Sequence, residues 1–120
     1  MTKPWVFVGE GRHRTVFRRD NVVIKIPLNE DGIFANHREA HIYKHRDSSG
    51  YNYCKYARCR LIKDTDILMM EWAHYPREGI TDECGYIPYK YMPSWSWRVD
   101  LFQVGYNRKG KPVAYDYGGG

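Results

Sequence analysis

The sequence predicts an α+β fold: a five-stranded antiparallel sheet with one main helix, followed by a reduced C-terminal hairpin. Short runs of β-branched and aromatic residues alternate with turn residues through the first 26 positions. A single longer stretch, 32–45, has small and apolar residues at helical spacing behind an Asn-led acidic start. Between 74 and 96 three prolines and two glycines interrupt any period, so regular structure resumes only near the C-terminus.

Residues 5–8, 15–18 and 22–26 are the first three strands. Gly9-x-Gly11 separates the first two, and Arg19-Asp20-Asn21, whose Asp and Asn favour tight turns, separates the next two. Pro27 ends the third strand, and Asn29-Glu30-Asp31 supplies capping groups and acidic charge to the helix. Within that helix Ala35, Glu39 and Ile42 share one face and Asn36, Ala40 and Tyr43 the adjacent stripe, which places a glutamate among inward-looking side chains. Residues 56–62 and 66–72 form a hairpin about Lys63-Asp64-Thr65. Residues 99–106 and 112–117 form a second one about Asn107-Arg108-Lys109-Gly110. Gly118-Gly119-Gly120 is assigned no structural role.

At 120 residues and 14.3 kDa the chain has the size of one domain, 1–120, able to bury a core without staples. Aromatics make up 16%, with 11 Tyr and 4 Trp, so rings with polar handles carry much of the apolar content. A formal charge of +5 is compatible with nucleic acid, an anionic membrane or an acidic protein as partner without choosing among them, and its spread along the chain argues against a dedicated basic tail. The three cysteines, Cys54, Cys59 and Cys84, match neither a zinc ribbon nor a disulfide framework, which points to a reducing compartment. No apolar run approaches the roughly 20 residues of a membrane span, so a cytoplasmic protein is expected.

Chemistry concentrates where a glycine loop precedes a lysine strand. Gly9, Gly11, Arg14 and Val16 fall at the positions of G-x-G-x-x-G-x-V, and Val22-Val23-Ile24-Lys25 at those of V-A-I-K. The helix bearing Glu39 follows directly. Ile67-Leu68-Met69-Met70-Glu71-Trp72-Ala73 reads as an apolar fifth strand running into a hinge, and Asp116-Tyr117-Gly118 as a D-Y-G triplet after a hairpin. In this order the features resemble the protein-kinase-like superfamily, including its small-molecule phosphotransferase branch, and more loosely the small kinase-like proteins carried by bacteriophages. The resemblance implies an N-lobe over 1–73 and an abbreviated C-terminal part over 74–120, with ATP and magnesium as cofactors. It further implies that Lys25 contacts phosphates, Glu39 holds Lys25, Glu71 to Ala73 flank the base, and Asp116 binds magnesium.

The departures from that pattern bear on function. Only the 42 residues between Ala73 and Asp116 stand where a kinase has its large helical lobe, and no H-R-D-x-x-x-x-N is present. Aligning Gln103-Val104-Gly105 with the end of a phosphotransferase loop puts Arg98 at the catalytic aspartate's position and leaves Asp100 as the candidate base. Val23 replaces the alanine that makes room for adenine, and Arg14 replaces the third glycine. A catalytically impaired binding protein, regulatory or inhibitory towards a host or cognate protein, is the expected function. A minimal active phosphotransferase and a nucleic-acid-binding accessory protein are the alternatives.

Three other constellations merit weighing. His37 and His41, at i and i+4, have metal-ligand spacing, but Glu39 lies about 200° from His37 and His41 on the helical wheel and a solvated face accounts for the pair better. The interleaved basic and aromatic residues from Tyr43 to Arg60, Arg58 and Arg60 among them, have the composition of a nucleic-acid surface. Trp95 and Trp97, with Tyr89 and Tyr91, either fill a core or cover a partner.

Overall fold

A computed structural model describes residues 3–73, 93–96 and 103–118. Strands β1 (Val6–Glu10), β2 (Arg14–Arg19) and β3 (Val22–Pro27) precede the 15-residue helix α1 (Glu30–Lys44). Strands β4 (Cys59–Leu61), β5 (Leu68–Glu71), β6 (Val104–Tyr106) and β7 (Pro112–Ala114) follow. The first five form one antiparallel sheet in the order β1-β2-β3-β5-β4, and β6 and β7 form a separate antiparallel pair. This is the α+β arrangement expected, with α1 crossing from β3 to β4 and resting on β3, β4 and β5.

Strand pairing sorts side chains by the two-residue period. Val16 pairs with Lys25, Lys25 with Leu68 and Leu68 with Leu61; one step along, Val23 pairs with Met70 and Met70 with Cys59. These residues share the face beneath α1, where Val23, Leu68 and Met70 are buried with Ala57, Ala73 and Val113. A second cluster of Ile42, Cys54, Tyr56, Val104 and Ala114 joins the helix to the β6–β7 hairpin.

Element ends differ from expectation for identifiable reasons. The helix begins at Glu30 because Asn29 is its N-cap, accepting the Gly32 N–H at 3.0 Å. β4 starts only at Cys59 because Ala57 N–H donates to Ala114 O and Ala114 N–H to Lys55 O, both at 2.8 Å, which ties 55–57 to the second hairpin through the parallel Tyr56–Ala114 bridge. β7 stops at Ala114 because the chain then turns onto α1. The β6–β7 connection has five residues, not four: Tyr106 pairs with Pro112, and Asn107 N–H bonds Lys111 O at 2.9 Å. Gly118 has a structural role after all, since it is buried and its α-carbon sits so close to the Ala35 carbonyl and the Glu39 side chain that no Cβ fits there. Residues 74–92, 97–102 and 119–120, hence Asp100, Cys84, Tyr89, Tyr91 and Trp97, lie outside the described residues. Of the aromatic segment Trp95 is described, and it packs half-buried against the second cluster. No described helix is long and apolar enough to cross a membrane.

Candidate functional site

The site is built around Glu39, whose carboxylate is fully buried under the sheet. Its Oε1 accepts from Lys25 Nζ at 2.9 Å and Arg14 Nη1 at 2.8 Å. Its Oε2 accepts from Arg14 Nη2 at 3.2 Å and from the backbone N–H groups of Tyr117 and Gly118, both at 2.9 Å. Burial alone would push this acid up, but Lys25 and Arg14 outweigh it and bring it down to about 2. It is an anion held by five donors.

Lys25 and Glu39, expected to meet, do so because β3 directs Lys25 inward at the level where α1 presents Glu39. Lys25 is itself buried, and its ammonium also donates to Tyr115 O at 2.6 Å. Arg14, from the loop-proximal end of β2, extends beneath Lys25. Besides its two bonds to Glu39 it donates to Asn36 Oδ1 at 3.0 Å and to Asp116 Oδ1 at 2.8 Å. Burial would lower the guanidinium's pKa, yet Glu39 and Asp116 raise it, so its charge is secure. Asp116 is 38% exposed at its side chain; burial raises its pKa, Lys25 opposes the rise, and Glu39 adds to it. Two cations and two anions thus close a neutral cluster.

Asn36 is the member that sequence reasoning missed. It is completely buried, donating from Nδ2 to the backbone oxygens of Lys25 and Asp66, each at 2.8 Å, while Oδ1 orients Arg14. The available signal was its position one helical turn before Glu39. Tyr117 is a second: its hydroxyl donates to Ala57 O at 2.9 Å and lies 3.1 Å from Cys59 Sγ. Burial pushes the Cys59 thiol up to about 11, with Glu39 adding to the shift against Tyr117, so it stays protonated and is no nucleophile.

Beside this cluster lies a cavity of about 370 Å³, lined by the apolar Val8, Val16, Val23, Met70 and Ala73 and by Lys25, Arg14 and Asp116. Gly9, Gly11 and Glu71 also line it. Neither Gly9 nor Gly11 has a neighbour that a Cβ would strike or a left-handed φ, so nothing in the protein itself requires glycine there. The loop is instead fastened to the start of α1: Leu28 N–H donates to His13 O at 2.8 Å, Asn29 Nδ2 to Arg12 O at 3.3 Å, and Gly32 packs on the His13 carbonyl. In the hinge stretch, the Trp72 N–H is taken by Asn21 O at 2.8 Å and the Glu71 carboxylate accepts the Arg58 N–H at 3.0 Å.

A cavity of this size, with apolar walls and the charged Lys25 and Arg14 in its lining, is ordinary for a small ligand. Magnesium is held by one or two carboxylates with phosphates; here Glu39 is enclosed by its five donors, and Asp116, 38% exposed, already meets Arg14 through Oδ1. No group of three metal-capable side chains occurs among the described residues. His37 and His41 do not form a site either, since His37 Nε2 meets Asp66 Oδ1 at 2.8 Å and His41 lies against His45 with ring centroids 4.5 Å apart. No protein-family model matches the chain, and neither do the curated proteins nor the solved structures with which it was compared.

Proposed function

We propose that the chain is a kinase-like binding protein that does not transfer phosphoryl groups and acts by docking on a host or cognate protein, as the resemblance to phage-borne kinase-like proteins implies. One observation carries this reading: the Arg14 guanidinium stands between Glu39 and Asp116. The carboxylate that the resemblance gives to magnesium is occupied by a permanent cation, and phosphoryl transfer, which depends on positioning and charge stabilisation, loses its metal. The adjoining cavity accepts an adenine nucleotide without metal, with Lys25 and Arg14 as the phosphate-facing cations.

Thermal unfolding with ATP, with and without magnesium, tests the reading alongside an assay for released phosphate. The expected result is a rise in Tm from ATP that magnesium does not enlarge and Lys25→Met abolishes, with no phosphate released. Magnesium-dependent phosphate release lost in Lys25→Met would replace this reading with that of a minimal phosphotransferase.

A further inference from the structure

A second and larger cavity, about 740 Å³, lies between the loop after α1, the hinge end of β5 and the β6–β7 turn. Six cations line it: Arg46, Lys55, Arg58, Arg108, Lys109 and Lys111. Among the described residues two carboxylates, Asp47 and Glu71, accompany them, a local excess of four positive charges in a chain whose net charge is +5. Glu71 is already bonded to the Arg58 backbone and lies 3.5 Å from its Nε. Lys55, Lys109 and Lys111 have no carboxylate partner among the described residues. Among the described residues these three lysines therefore carry charge that no carboxylate neutralises, whereas Arg108 is near enough to Asp20 to lower its pKa.

The turn that carries three of these cations is fixed. Asn107 Oδ1 accepts the N–H groups of Lys109 and Lys111, both at 3.0 Å, and Gly110 takes the left-handed φ of 74° that closes the loop. Aromatic surface flanks the charge: Tyr43 lies under Arg46 at 4.2 Å and Trp72 under Arg18 at 4.1 Å, and both rings line the cavity. Cations that track a backbone beside rings and guanidinium planes on which bases stack are the chemistry of single-strand recognition. A cleft with rings at its wall suits unpaired nucleotides, whose bases can be splayed out and stacked, better than a duplex, whose bases are already paired. An acidic peptide would use the cations and leave the rings idle.

We propose that this cleft binds single-stranded nucleic acid through its phosphates, with base stacking at Tyr43 and Trp72. The inference is independent of the Lys25 cavity and of the kinase resemblance. Arg58, singled out in the sequence, belongs to it; Arg60, two positions along in β4, does not line the cleft.

Fluorescence anisotropy with short labelled single-stranded DNA and RNA tests it. Contact with about four phosphates gives a salt slope near −2.8, so affinity should fall about 50-fold between roughly 50 and 200 mM salt. The double variant Lys109→Gln/Lys111→Gln, confined to an exposed turn, should weaken binding about tenfold at low salt and reduce the slope by about 1.4. Lys63→Gln, in the β4–β5 turn outside the cleft, should leave it within about twofold. Whichever of DNA and RNA binds more tightly identifies the natural strand. Absence of binding at about 50 mM salt overturns the proposal. Tighter binding of duplex, equal loss in Lys63→Gln, or displacement by a poly-glutamate peptide of matched charge overturns it equally, the last assigning the cleft to an acidic protein segment.

Discussion

Glu39 illustrates how much a single side chain organises here. Every one of its five hydrogen-bond partners is a donor, so an amide in its place would turn its own N–H₂ against at least one of them and leave Lys25 and Arg14 short of an anion. Glu39→Gln is therefore expected to cost about 3–5 kcal/mol in urea unfolding, the range for breaking a buried ion pair from one side. The Lys25–Glu39 encounter was expected from the kinase-like order of features in the sequence, with helical periodicity alone turning Glu39 inward. The role of Arg14 was not. Its decisive partner, Asp116, is 102 residues away, and no local pattern reports a contact of that span.

Among the elements, the β1–β2 loop and the start of α1 behave as one unit. Gly32 rather than Gly9 or Gly11 is the glycine this unit requires, since any Cβ at Gly32 would meet the His13 carbonyl and the Pro27 backbone, neither of which can rotate away. Gly32→Ala should destabilise by more than about 2 kcal/mol. Gly9→Ala, with open space around it and an ordinary φ, should be neutral or stabilise by up to about 1 kcal/mol. Chemical denaturation of the two variants side by side checks the contrast. Reversed outcomes would mean that the loop is not held to the helix. The glycine spacing in the sequence drew attention to the flexible-looking pair, whereas the sterically demanded glycine sat in the helix's first turn, where nothing nearby in sequence marks it.

At the scale of the whole molecule, Glu39 couples stability to acidity. Its pKa falls from 4.5 in the unfolded chain to about 2 in the folded one, so the folded state resists protonation. The corresponding stability is fully present above about pH 4.5 and is lost as pH falls towards 2. A shift of this size amounts to about 3 kcal/mol. Asp116 works in the opposite sense, because its raised folded pKa makes it take up a proton readily in the folded state and so recovers part of the loss. Urea midpoints between about pH 5 and 2.5 should therefore fall with acidification in the unaltered protein, and fall less in Glu39→Gln. An identical slope in both would place the acid sensitivity elsewhere.

The sequence by itself determined the element order, the antiparallel pairing of neighbouring strands and the inward face of α1, because turn residues and side-chain periods act over a few positions. Only the tertiary structure decided that 55–57 pair with Ala114, that Tyr117 and Gly118 donate to Glu39, and that the cations of β4's approach and the β6–β7 turn share one cleft. Those contacts join segments about 40 to 80 residues apart, and they are fixed by how two sheets close over a common helix rather than by any preference of the residues involved.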